Sequence, residues 1–134
     1  MSNKKHFQIS QQAVEKLAVR FGTPLLVLSL DEIKKNYKVL KKYMPRVKIH
    51  YAIKANPHPE ILRVMADMGS CFDVASDGEI RTLHDMGVDG SRLIYANPVK
   101  TGVGLEACRS CGVRNMTFDS ASEIDKIKKQ CPDA

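Results

Sequence analysis

Short apolar runs begin near Ile49, Cys71, Leu93 and Asn115, a recurrence of about 22 residues in which each run leads into a helical segment. A period that short holds one strand, one turn and one helix of about three turns, and little else. It predicts helices over 57–68, 77–86, 101–111 and 121–131. Gly69, Gly87 and Gly112 stand where a left-handed residue would end the first three. Ser76-x-x-Glu79 and Ser120-x-x-Glu123 are capping boxes that would start two of them. The strands predicted at Phe72–Ala75, Leu93–Ala96 and Met116–Phe118 are short and largely apolar, as suits parallel strands covered by helices. Strict alternation implies a parallel sheet, either doubly wound or closed as an eight-stranded barrel. The connections are even and carry no Gly-x-Gly-x-x-Gly fingerprint, which favours the barrel over a dinucleotide fold. Thr101-Gly102-Val103-Gly104 reads as a loop or a first helical turn.

Upstream, Ile9, Ala13, Leu17 and Ala18 predict a leading helix over 8–21, broken by Gly22-Thr23-Pro24. Leu25-Leu26-Val27-Leu28 reads as a short strand. Ser29-x-x-Glu32 is a third capping box, and Ile33, Tyr37, Leu40 and Met44 form one apolar stripe on the helix that follows. Pro45 stops that helix before a strand predicted over Val47–Ile53. A complete barrel takes about 250 residues, whereas this chain has 134. Four parallel strands alone leave two unpaired edges and one uncovered face. The expectation is therefore the first half of an α/β barrel, the N-terminal portion of a longer protein, with residues 29–134 as an incomplete barrel domain.

Composition narrows the class further. At 43% hydrophobic and 27% charged the chain reads as a globular unit. No run approaches the ~18 apolar residues of a membrane span, and Met1-Ser2-Asn3-Lys4-Lys5-His6 leads into no apolar export signal. The expected location is cytoplasmic, without membrane partners. Cys71, Cys108, Cys111 and Cys131 lie in or beside apolar segments and read as reduced thiols. Cys108-Arg109-Ser110-Cys111 has C-x-x-C spacing, but no second pair completes a zinc site, and it falls at a helix end rather than a start. His50, His58 and His84 share no metal-ligand spacing, so no metal is expected. The net charge of +6 is uneven: residues 1–50 hold eleven Lys/Arg against three Asp/Glu. Much of the excess falls on one helix as Lys34, Lys35, Lys38, Lys41 and Lys42. Without interleaved aromatic residues or a reader motif this is a solvated face, and no nucleic-acid partner is expected.

The chemistry of an α/β barrel lies at the C-terminal ends of its strands. In order those positions offer Lys54, then Asp73 and Ser76, then Asn97 with Lys100, then Asp119. Lys54 closes the run Ile49-His50-Tyr51-Ala52-Ile53, where Asn56 can cap the next helix and Pro57 fits its first position. An ammonium group at the mouth of a buried strand would lose hydration, which favours the neutral amine and makes Lys54 a candidate nucleophile toward a carbonyl. Each of the others has an ordinary reading as well: Asp73 as a turn acid, Glu79 as capping-box partner, Asn97-Pro98 as a turn, Asp119 as a helix-start charge.

Tyr51-Ala52-Ile53-Lys54-Ala55-Asn56 resembles the Tyr-Ala-x-Lys-x-Asn signature of the fold-type III pyridoxal-phosphate enzymes. Phe72-Asp73-Val74-Ala75-Ser76 with Glu79, Tyr95-Ala96-Asn97-Pro98-x-Lys100 and Thr117-Phe118-Asp119-Ser120 are similar to the ornithine/lysine decarboxylase branch. The resemblance covers most of the chain from about Thr23 onward, with all four blocks in order. The resemblance implies an alanine racemase-like barrel and pyridoxal 5′-phosphate as cofactor. Lys54 would be the catalytic residue that holds the cofactor aldehyde and exchanges with the substrate amine, Asp73 and Glu79 would lie close to the cofactor, and Ala52 would line the ring face. It further implies a homodimeric parent that converts a basic amino acid, foremost ornithine to putrescine in polyamine synthesis. Residues 1–28 would then belong to a second, β-rich domain. The phosphate-binding loop, the acid facing the pyridine nitrogen, the stacking histidine and the partner-subunit residues of that family have no counterpart here, so the chain alone is expected to be inactive. Lysine, diaminopimelate or carboxynorspermidine as substrate remain alternatives, as does a non-catalytic, partner-binding relative.

Overall fold

The computed structural model describes residues 7–134; the opening six, read above for an export signal, lie outside the described residues. Two helices lead, α1 (Gln11–Phe21) and α2 (Leu30–Tyr43). Then come β1 (His50–Ala52), a short 3-10 turn (Ile53–Ala55), α3 (Pro59–Asp67), β2 (Cys71–Val74), α4 (Asp77–Asp85), β3 (Leu93–Tyr95), α5 (Gly102–Ser110), β4 (Asn115–Met116) and α6 (Ala121–Gln130). The four strands form one parallel sheet in the order β1-β2-β3-β4, with a helix after each. This is a partial (β/α)8 barrel, as the alternation predicts.

Register follows the repeat. His50 pairs with Cys71, Phe72 with Leu93, and Ile94 with Asn115. Side chains alternate across a strand, so one parity faces the helices and the other faces away. Phe72, Val74, Leu93 and Tyr95 take the helix side, each 2% exposed or less. There they meet Leu62, Ile80, Leu83, Leu105 and Cys108 in one core between sheet and helices. The opposite face carries the row Ala52, Asp73, Ile94 and Asn115, none of them buried.

The helix signals hold with small shifts. Ser29, Ser76 and Ser120 cap α2, α4 and α6, each hydroxyl accepting from the backbone N–H three residues on. Thr101 does the same for α5, so Gly102-Val103-Gly104 is a first helical turn. Gly69, Gly87 and Gly112 follow α3, α4 and α5 with φ of 78°, 80° and 72°. Arg92 ties the N-terminal ends of the strands together, its guanidinium donating to the Ser70 and Ala66 carbonyls.

Three expectations fail. Asn56 does not cap α3, nor is Pro57 its first residue: His58 is the cap and Pro59 the first position. A residue before proline is pushed to extended backbone, and His58, at φ −58° and ψ 127°, therefore ends the approach rather than joining the helix. Asn56 instead accepts the His58 N–H on its side chain at 3.1 Å. The strand predicted over Val47–Ile53 shortens to His50–Ala52, because the chain turns into 3-10 geometry at Ile53. Leu25–Leu28 is no strand at all: no described strand pairs with it, and its four side chains are 40–86% exposed. An extended segment without a neighbour has no ladder to join.

Candidate functional site

The candidate site lies at the C-terminal ends of the strands, on the face turned from the helices. Ala52 and Asp73 are directly paired across β1 and β2, which brings two of the predicted residues side by side. Phe72 and Val74 are fully buried toward the helices, so the strand period turns the half-buried Asp73 between them to the open face.

Lys54 follows β1 in the middle of the 3-10 turn. Ile53 before it is 1% exposed and anchors the turn in the core. Lys54 itself is exposed, and among the described residues it makes no hydrogen bond or ion pair. The dehydration invoked for it above is thus absent here: the turn raises Lys54 off the strand end, where a continued strand would have kept it in the sheet. Its amine is uncommitted and open to a ligand.

Glu79 is already engaged. Its carboxylate accepts the Ala75 N–H at 2.6 Å, and its own N–H donates to the Ser76 hydroxyl at 3.2 Å. This is a capping box displaced by one residue, and it fixes the loop that leaves β2 immediately after Asp73. Ser76 is spent on the same cap. Asn97 also closes a local turn, accepting the Val99 N–H at 3.2 Å. Asp119 is exposed at the far edge.

The buried lysine of this rim is Lys100, 2% exposed. Its ammonium donates to the carbonyls of Asn97, at 2.9 Å, and of Thr117, which lie just beyond β3 and β4. Glu123, 4% exposed, accepts the Lys100 N–H at 3.0 Å and stands 3.7 Å from its ammonium. Lys126 completes the group, 2.6 Å from the other Glu123 oxygen and donating to the Lys100 carbonyl. Burial pushes the Lys100 pKa down, against the pull of Glu123. Burial would raise that of Glu123, but hydrogen bonds from Lys126 and the Lys100 N–H, with both lysine charges, outweigh it and hold it below the ordinary glutamate value. Lys100 is therefore an internal brace of the rim and not an exposed member of it. Sequence reading had Glu123 only as a capping residue. The one available signal was spacing, since Lys100 and Glu123 lie one structural repeat apart.

The rim thus offers an exposed primary amine, an open-faced carboxylate on the neighbouring strand, and a small residue, Ala52, paired with that carboxylate. An aldehyde-bearing planar cofactor fits that donor set: the amine can condense with the aldehyde, and the small Ala52 leaves room for a ring. Among the described residues, no His/Cys/Asp/Glu group could hold a metal ion, and no helix is long and apolar enough to cross a membrane.

Comparison with known proteins agrees with that fit. Residues 30–134 match the family described as pyridoxal-dependent decarboxylase, pyridoxal binding domain. The chain is 52% identical over 130 residues to a lysine/ornithine decarboxylase of Selenomonas ruminantium, covering 97% of this chain and 33% of that protein. It is 41% identical over 129 residues to an ornithine decarboxylase of Neurospora crassa, covering 92% of this chain and 27% of that one. The crystal structure of SrLDC in complex with PLP and cadaverine superposes with a TM-score of 0.91 at 52% identity, over 96% of this chain and 34% of that one. The chain spans about a third of the length of these relatives.

Proposed function

We propose, from the premise that this chain belongs to the pyridoxal-dependent decarboxylases, that it supplies the cofactor-holding lysine of a basic amino-acid decarboxylase. The observation that carries the reading is Lys54: an exposed amine without a partner among the described residues, placed by a fixed turn at the C-terminal end of β1, one strand from Asp73. Bound pyridoxal phosphate supplies an electron sink for the charge left when an α-carboxylate departs.

The chain's own residues hold and orient. Lys54, as the neutral amine, would hold the cofactor through its aldehyde carbon, and its Nζ would mark the position a substrate amine takes over. The Asp73 carboxylate, on the neighbouring strand, would favour positive charge at that attachment. Ala52 leaves the adjoining surface flat enough for a ring. Glu79 acts at one remove, setting the loop after β2 through the Ala75 N–H.

Lysine and ornithine are the substrates we propose, with cadaverine and putrescine as products. The support is the substrate pair of the Selenomonas protein and the diamine in its structural neighbour. We further propose a homodimeric, cytoplasmic parent serving polyamine synthesis; four free cysteines suit a reducing compartment. Residues 1–28 go with a second domain in this reading. In support, α1 has no buried residue, and Val14, Leu17 and Ala18 line a shared cleft with Leu25 and Val27 rather than packing into the sheet's core. The isolated chain turns over no substrate, because a lone lysine and carboxylate supply little of the positioning and charge stabilisation catalysis needs.

The test is to incubate the chain with pyridoxal phosphate, reduce with borohydride and map the modified peptide. Modification concentrated on Lys54 and lost in Lys54→Ala supports the reading; labelling spread evenly over the surface lysines refutes it. Diamine formed by a longer form of the protein from lysine or ornithine identifies the substrate.

A further inference from the structure

Tyr51 packs as a phenylalanine would, but carries a hydroxyl. It pairs in register with Phe72 on the helix-facing side of the sheet. The two rings meet edge to face, with centroids 6.5 Å apart and planes at 90°. That contact needs no oxygen. Burial disfavours ionisation of the phenol and raises its pKa, so the hydroxyl is held in a partly dry place where it needs an acceptor. Among the described residues it has one: it donates to the Asn56 carbonyl at 3.1 Å.

That bond spans five residues, from the strand before the 3-10 turn to the residue after it, and Lys54 lies between. The turn is otherwise held by its own 3-10 backbone bonds, by Ile53 in the core and, beyond it, by the Asn56 side chain accepting from His58, the cap of α3. The Ile53 anchor acts before Lys54 and the Asn56 contacts after it. The turn's own i→i+3 backbone bonds cross it as well, and the Tyr51 hydroxyl adds the side-chain bond among the described residues that spans Lys54.

We infer that Tyr51 is a positioning residue for Lys54, its hydroxyl closing the turn so that the amine is presented in one direction. The inference rests on the proposed role of Lys54. It acts through order: a ligand that must be reached by an amine on a loose turn is reached less often, since orientation has to be restored at each attempt.

The test compares the full chain with Tyr51→Phe, which keeps the ring, and with Val113→Ala, which thins the core away from β1. Backbone 15N relaxation reads the order of residues 53–56, and absorbance titration with pyridoxal phosphate reads the covalent adduct at Lys54. In Tyr51→Phe the order parameters of the turn should fall from about 0.85 toward 0.6, while the sheet is unchanged. The adduct equilibrium should weaken roughly 2- to 10-fold, the worth of one hydrogen bond. Val113→Ala should lower stability yet leave both readouts as in the parent. A turn that stays rigid in Tyr51→Phe overturns the inference. So does a loosened turn with an undiminished adduct, or an equal loss of adduct in Val113→Ala. If the parent chain forms no adduct at Lys54, the proposed function falls, and the relaxation comparison alone then decides whether Tyr51 closes the turn.

Discussion

Replacing Glu123 by alanine tests whether the buried brace at the rim holds the barrel segment together. The Lys100 side chain is fully enclosed, that of Glu123 is 5% exposed, and their charged atoms stand 3.7 Å apart. Two unit charges at that distance attract by about 4 kcal/mol at the effective dielectric suited to protein sites. Removing one member leaves the other charge enclosed, which in comparable buried pairs costs about 3–5 kcal/mol. Glu123→Ala also deprives the Lys100 N–H of its acceptor. The expected loss is therefore about 4 kcal/mol, a large part of the 5–15 kcal/mol typical of a domain. Lys126 sits on the same carboxylate but is about a third exposed, so Lys126→Ala should cost under ~1 kcal/mol. Urea unfolding followed by far-ultraviolet circular dichroism measures both, provided the slope is unchanged. The double variant Lys100→Met/Glu123→Leu should be less destabilised than Glu123→Ala, because no fully enclosed charge is left without its partner and the Lys126 ammonium can reach solvent. A Glu123→Ala loss below ~1 kcal/mol, or a double variant worse than the sum of its singles, would refute the account.

Three further outcomes follow from the same geometry. Because the Glu123 pKa is lower folded than unfolded, its stabilisation is present above the unfolded value of about 4.3 and is lost as pH falls through the folded value. Acid unfolding midpoints should therefore show a steeper decline below pH ~4.3 in the parent than in Glu123→Gln. Gly90→Ala would drive a Cβ into the Cys111 carbonyl oxygen and the Gly112 carbonyl carbon, both backbone atoms. Since neither can swing aside, the variant should lose about 1–3 kcal/mol or more by the same urea assay. Burial, with Cys131 nearby, pushes the Cys108 thiol up to about 12; at pH 8 roughly one molecule in 10⁴ is then thiolate there. Alkylation timed by mass spectrometry should reach the half-buried Cys71 well before Cys108.

Much of the fold is local enough to be read from the chain. Ser29, Ser76 and Ser120, each three residues before a glutamate, and Gly69, Gly87 and Gly112 work through backbone atoms a few residues away, so their roles survive without knowledge of the rest. The recurrence of about 22 residues then suffices for a parallel sheet, because a strand–helix unit that short can only cross over and pair beside its predecessor. The motif around Lys54, and its resemblance to pyridoxal-phosphate enzymes, were legible in the same way.

Other features depend on distant partners, and there the sequence misled or was silent. Leu25–Leu28 has the composition of a strand, but a strand exists only where another offers its ladder. Lys54 and Lys100 are both lysines just past a strand end. The 3-10 turn lifts one to solvent, while Glu123, a full repeat away, draws the other inside. Sequence determined which residues could stand at the rim; tertiary structure decided which of them is free to react and which is spent on holding it. Burial is a property of the atoms that surround a side chain, and those come from elements far along the chain.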